Sequence, residues 1–213
     1  SDAMDLVRRA GYHALPVPLA ETIIARRLLA RAGLAAPEGA ITMAPPGAGE
    51  LGTENGGRLS GAAKGVPYGR SAGHAVVATA KGLHLVAIGD AITARGTNIA
   101  GEPRDVIDLG RVKVVGSAAI DNAASVLEAE GALVRSVAIA GALSATLDHS
   151  LTWVNDRVQF GRPIGKQQAV QHLMAQLAEE TAAAGAAADL AIDASQQDPD
   201  RFAIAIAKSR SGE

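Results

Sequence analysis

The chain has 213 residues, enough to bury a core in one large domain or two smaller ones. Hydrophobic residues make up 48% of it but aromatics only 2%, so its interior must rest on Ala, Leu and Val, which let helix backbones approach closely. A formal charge of −2 with no run of Lys or Arg leaves no electrostatic footprint for nucleic acid, and the absence of cysteine excludes a disulfide framework, a thiolate metal site and a cysteine nucleophile.

The N-terminus, SDAMDLVRRAGYH, has no secretory apolar core, and no stretch of 18 apolar residues follows. Neither export nor membrane insertion is expected, and the chain reads as soluble and cytoplasmic. Ser1-Asp2-Ala3 ahead of Met4 reads as an expression remnant. Next, PLAETIIARRLLARAGL carries Leu19, Ile23, Ile24, Leu28 and Leu29 at helical spacing, with Gly33 as its stop.

From Ala35 to about Gly116, glycine and proline become frequent and short β-branched runs stand between turn signals. HAVVAT and LHLVAIG flank Ala80-Lys81-Gly82 and predict a hairpin. VIDLGRVKVV alternates from Val106 to Val115, interrupted at Gly110. The pattern predicts roughly five to seven short antiparallel strands in a small sandwich or barrel.

From about Ala118 the pattern is helical. Leu133, Val137, Ala140, Leu143 or Ser144, Leu147, Leu151, Val154 and Val158 form one stripe, and Val170, Leu173, Leu177, Thr181, Ala184 and Ala188 form a second. Asp198-Pro199 reads as the cap and first-turn proline of a third helix through RFAIAIAKS. The two long helices and their short connection predict an antiparallel hairpin.

The connection, RVQFGRPIGKQQAVQHLMAQLA, resembles the signature of the acyl-CoA dehydrogenase family, in which a long helix ends in R-x-x-F-G-x-P-I and the next begins with a glutamine-bearing turn. VPLAETIIARRLLARAGL resembles the last helix of that family's N-terminal domain, and GRLSGAAKGVPYGRSAGHAVVA resembles the L-N-G-x-K stretch of its middle domain. The resemblance implies an α+β fold: a remainder of the N-terminal helical domain over 4–34, a middle antiparallel β-sandwich or barrel over 35–117, and a C-terminal antiparallel helical bundle over 118–213.

It also implies FAD, bound partly across a dimer interface and reached by this turn. Arg157 would pair with the pyrophosphate, Gln159 and Phe160 would line the adenosine side, and Gln167 and Gln168 would bond the cofactor from the next helix. Arginine's planar fork suits phosphate, and a helix N-terminus adds partial positive charge. Arg162 and Gln171 read as solvated surface. The structural alternative for Arg157 is a helix-end cation complementing the dipole.

Elsewhere the chain departs from the family pattern. The flavin loop T-E-P-x-A-G-S-D meets MAPPGAGEL, where only Pro46-Gly47-Ala48-Gly49 resembles it. No catalytic base can be placed. Members that carry the glutamate in the long helix have it where Gly131 stands here. Glu128 and Glu130 read as ordinary helix-start carboxylates, since one residue turns a side chain by about 100°. The arginine that some members use for CoA falls at Ala132, with Arg135 nearby.

The histidines His13, His74, His84, His149 and His172 lack metal-ligand spacing, so no metal is expected. Asp148-His149-Ser150 cannot be a triad, because consecutive helical residues diverge. The resemblance thus implies α,β-desaturation of an acyl-CoA thioester with electrons passed to an electron-transfer flavoprotein. The alternative is a non-catalytic subunit of the same fold that completes a partner's FAD site. Either implies a homodimer or tetramer, or a hetero-oligomer.

Overall fold

The computed structural model describes residues 2–45, 52–53 and 58–212; the Pro46–Gly49 loop lies outside them. Two helices come first, α1 (Asp2–Tyr12) and α2 (Leu19–Arg31). Among the described residues nine strands follow: β1 (Ile41–Met43), β2 (Gly52–Thr53), β3 (Leu59–Ser60), β4 (Ala62–Pro67), β5 (His74–Thr79), β6 (Gly82–Ala87), β7 (Ile92–Ala94), β8 (Arg104–Asp108) and β9 (Lys113–Ala118). The last part holds α3 (Ala123–Asp156), the short strands β10 (Val158–Gln159) and β11 (Arg162–Pro163), α4 (Gln168–Ala194) and α5 (Arg201–Arg210). Contacts gather these into two compact units, Pro16–Gly131 and Ser1–Leu15 with Ala132–Glu213. The sequence divisions at 34 and 117 follow composition, whereas these units follow contacts.

In the first unit, α2 buries Ile24, Leu28 and Leu29 as its spacing predicts, together with Glu21. It ends in a Schellman motif: Gly33 has φ 66°, its N–H donates to Ala30 O at 3.1 Å, and Leu34 N–H donates to Leu29 O at 2.9 Å. The sheets are mixed, not wholly antiparallel. One runs β1-β5-β6-β9 with β1 parallel to β5, and the other runs β4-β8-β7. There are also more strands than expected, because short pairs such as β2–β3 are too brief to leave an alternation in the sequence. The predicted hairpin is β5–β6, with Thr79 opposite Gly82. VIDLGRVKVV is divided between the two sheets, since β8 pairs with β4 and β7 while β9 pairs with β6. Asp108 makes that crossing by accepting from Gly110 N–H at 2.9 Å. Leu59, Ala63, Val66, Val77, Val86 and Ile107 belong to one core shared by both sheets.

Two buried polar contacts pin this unit. Burial opposes ionisation of Asp105, but hydrogen bonds from Arg70 outweigh it and hold the carboxyl below its usual range. His84 lies buried with Nε2 at 2.9 Å from Thr79 Oγ1 and Nδ1 at 2.9 Å from Ser117 Oγ. Burial pushes its pKa down, and the charge of Lys81 adds to this. A histidine harder to protonate folded than unfolded leaves stability intact above the unfolded value of about 6.5 and erodes it as pH falls below that value. Denaturant titrations at pH 7.5 and 5.5 should therefore show a loss that is smaller in a His84→Asn variant; equal losses would contradict this assignment.

In the second unit α1 precedes the first helix expected from sequence. Its residues DAMDLVRRAGY bury Met4 and Val7, with Asp2 and Asp5 in the first turn and Arg9 in the last, complementing the dipole. Asp2 and Ala3, set aside on sequence, are its first residues. Backbone contact joins α1 to α3: a Cβ on Gly11 would stand 2.0 Å from Ala138 O, and one on Gly141 would stand 2.0 Å from Arg8 O. Tyr12 adds a 2.8 Å hydrogen bond to Asp148. Gly→Ala within a helix normally gains roughly 0.5–1 kcal/mol. At Gly141 the sign should reverse to a loss of about 1–3 kcal/mol by overpacking, while Gly185→Ala, with nothing within 4 Å, should keep the ordinary gain. Paired melting curves of the two variants test this; a stabilised Gly141→Ala would mean that the helices do not touch there.

The α3 stripe holds at Leu133, Val137, Ala140 and Val154, all buried, but Leu151 is exposed and Val158 lies beyond the helix in β10. The third C-terminal helix starts later than expected, at Arg201 rather than after Asp198-Pro199. Asp200 is its cap, accepting from Ala203 N–H at 2.8 Å, and Asp200 N–H is itself held by Ser195 Oγ at 3.0 Å. Among the described residues no helix is long and apolar enough to cross a membrane.

Candidate functional site

The break between the two long helices is a miniature β-hairpin. Val158 pairs with Pro163 and Gln159 with Arg162, leaving Phe160-Gly161 as a two-residue turn. Both turn residues are left-handed, Phe160 at φ 50° and Gly161 at φ 75°, as a type I′ turn requires. Glycine takes this conformation freely, whereas phenylalanine is strained in it, at a cost of about 1–2 kcal/mol. The pairing of β10 with β11 holds it there, and its side chain is 92% exposed. The aromatic ring at the tip of the hairpin is therefore open to solvent.

The backbone at the foot of the hairpin is fixed on both sides. Arg157 N–H donates to Trp153 O at 2.9 Å, and Arg157 O accepts from Ile164 N–H at 2.9 Å. Its guanidinium lies over the Trp153 ring, 5.6 Å from the centroid. Gly165 lets the return leg close in, since a Cβ there would meet Val154 O at 3.1 Å. Gln167 then caps α4 with its backbone only, and Gln168 is the helix's first residue. The first-turn N–H groups of α4 therefore have no side-chain cap.

Of the five predicted residues, Arg157, Gln159, Phe160 and Gln168 are exposed and Gln167 is half-buried. Gln159 and Arg162 are direct cross-strand partners and project to one face of the hairpin, and both are exposed. Leu151, Trp153, Val158 and Leu173 extend the exposed apolar surface along the adjoining helix ends. The arrangement offers a planar cation, an uncapped helix N-terminus, amide side chains and an aromatic face. That set can hold a diphosphate and stack a planar heterocycle.

The helix-start carboxylates are unlike each other. Glu128 is exposed. Glu130 is fully buried, with Oε1 at 2.7 Å from Arg31 Nη1 and 3.2 Å from Arg27 Nε, so it is not the ordinary carboxylate expected. The readable signal was Arg27 and Arg31, one helical turn apart on an apolar helix. Gly131 supplies no side chain and faces open space, and a Cβ there would meet nothing within 4 Å. Trp153, the residue stacked on Arg157, was also missed; an aromatic four residues ahead of a helix-end arginine was its signal. Among the described residues no group of three or more His, Asp or Glu side chains is placed to hold a metal ion.

Residues 121–213 match the family model described as acyl-CoA dehydrogenase, C-terminal domain. The chain is 41% identical over 101 residues to acyl-CoA dehydrogenase FadE34 of Mycobacterium tuberculosis, a match covering 47% of this chain and 13% of that protein. Two solved structures share its fold: the ChsE4–ChsE5 complex of Mycobacterium tuberculosis, at TM-score 0.82 and 23% identity, and a steroid ACAD variant, Tcur3481–Tcur3483, at TM-score 0.81 and 24% identity. This chain is covered to 98% in both cases, while it spans 65% and 64% of the lengths of those chains.

Proposed function

We propose, for a chain whose residues 121–213 match the acyl-CoA dehydrogenase C-terminal domain and whose fold resembles that of solved acyl-CoA dehydrogenases, that it forms part of a flavin-dependent dehydrogenase desaturating an acyl-CoA thioester between the α and β carbons. The observation that carries this reading is the Phe160-Gly161 hairpin, which exposes a strained aromatic beside a fixed arginine. In the three-part organisation over 4–34, 35–117 and 118–213, the hairpin reaches the FAD of a neighbouring subunit. Arg157 would hold the pyrophosphate, Gln159 and Phe160 the adenosine side, and Gln167 and Gln168 would donate from the start of α4. These residues fit the group: the guanidinium stands exposed with its stem fixed, and the helix N-terminus is uncapped. FAD, when bound, supplies the acceptor for the hydride from the β carbon, and an electron-transfer flavoprotein in the cytoplasm takes the electrons onward.

Specific observations favour a second reading, a non-catalytic subunit that completes a partner's FAD site. Glu130 is engaged by Arg27 and Arg31, and Gly131 has no side chain, so neither offers a base for the α-proton. The two solved relatives are described as two-component assemblies. Both readings require that FAD be retained only in an oligomer. Sedimentation of the flavin-loaded protein should show a dimer or larger, whereas a monomer with FAD still bound would contradict the shared site.

A further inference from the structure

We infer that Trp153 is a positioning residue for Arg157, holding the guanidinium for an anionic group that binds outside this chain. This rests on the reading that Arg157 meets the FAD pyrophosphate. The pair spans one helical turn, and the last α-helical hydrogen bond of α3, from Arg157 N–H to Trp153 O at 2.9 Å, joins the same two residues. With Arg157 O also fixed by Ile164 N–H at 2.9 Å, the backbone leaves only the side chain to be ordered. The indole does that from one face, 5.6 Å from the guanidinium carbon. A cation–π contact with a ring face engages the charge of the guanidinium without committing it to a carboxylate. The guanidinium is therefore held and remains open to an anionic acceptor.

Other arginines are spent differently. Arg70 is committed to Asp105, Arg104 to Glu102 and Arg210 to Glu180. Each gives donors to a carboxylate of this chain, whereas Arg157 is ordered by a partner that accepts none. Trp153 itself remains 60% exposed, more than its packing needs, and it also lines a groove with His149, Val154 and Met174. An ordered arginine loses less side-chain freedom on binding.

The test uses FAD retention after gel filtration in single and double variants, with the melting temperature of each as a check on folding. Trp153→Leu should weaken FAD binding by about twofold to tenfold, and Trp153→Tyr, which keeps a ring face, should recover most of it. In an Arg157→Ala background, Trp153→Leu should cost nothing further. Emission of Trp153, the chain's single tryptophan, should shift in Arg157→Ala, reporting the loss of the stacked cation. If Trp153→Leu costs as much without Arg157 as with it, the indole acts on its own and positioning is wrong. If Arg157→Ala loses flavin but Trp153→Leu does not, positioning fails while the cofactor reading stands. If Arg157→Ala keeps its flavin, the cofactor reading fails and takes this inference with it.

Discussion

Replacing Glu130 with Ala should destabilise the protein by about 3–5 kcal/mol, the usual cost of removing one partner from a buried ion pair. Two arginines converge on its Oε1, from Arg31 Nη1 at 2.7 Å and Arg27 Nε at 3.2 Å, while the carboxylate is fully buried. Truncation would leave two cations facing each other across a cavity, without the acceptor that offsets their desolvation. Glu130→Gln should fall between, because an amide oxygen still accepts but carries no charge. Glu128→Ala, two residues earlier and exposed, should stay within about 0.5 kcal/mol. Urea denaturation of the three variants measures this series directly. A Glu130→Ala variant as stable as Glu128→Ala would mean that the ion pair does not form.

The Glu130 result bears on function as well as stability. A carboxylate held by two arginines and fully buried is poised as an anchor. The Glu130→Gln variant separates the roles, since it should lower stability without changing any flavin bleaching by acyl-CoA thioesters that the assembled protein shows. Bleaching abolished in a still-folded Glu130→Gln protein would make this glutamate the base.

Long periodic elements were legible in the sequence because burial repeats along them. The α2 stripe at Ile24, Leu28 and Leu29 is buried as read, and Gly33 stops the helix by the mechanism its residue type suggests. The β5–β6 hairpin was equally plain, since both strands are apolar runs on either side of one turn. What failed were features set by distant parts of the chain. Periodicity cannot tell that β1 lies parallel to β5, or that Gly110 marks a crossing between two sheets and not a flaw in one strand. The start of α5 was misread because Asp198-Pro199 and Asp200 both carry capping chemistry, and Ser195 decides between them by binding Asp200 N–H.

At the candidate site the sequence motif located the hairpin, and the structure supplied its physics. Nothing in F-G-R-P-I announces that phenylalanine takes φ 50° with its ring in water. The stripe from Leu133 to Val158 suggested burial throughout, yet Leu151 and Val158 are exposed on either side of the buried Val154. That mismatch between pattern and burial is what the proposed subunit interface would leave.

Arg157→Ala should lower FAD affinity roughly ten- to a hundredfold, since a charge-assisted bond to a phosphate is worth about 1.5–3 kcal/mol. The fold should hardly notice, because an exposed helix-end arginine adds under about 1 kcal/mol through the dipole. Arg162→Ala is the comparison: it lies across the hairpin from Gln159 but has no ring to order it, and it should retain flavin nearly as the parent does. The measurement is the flavin-to-protein ratio after gel filtration for both variants, beside the melting temperature without cofactor. Flavin lost in Arg157→Ala alone, at unchanged melting temperature, is the predicted result. Equal flavin loss in both variants, or undiminished flavin with a lowered melting temperature for Arg157→Ala, would contradict it.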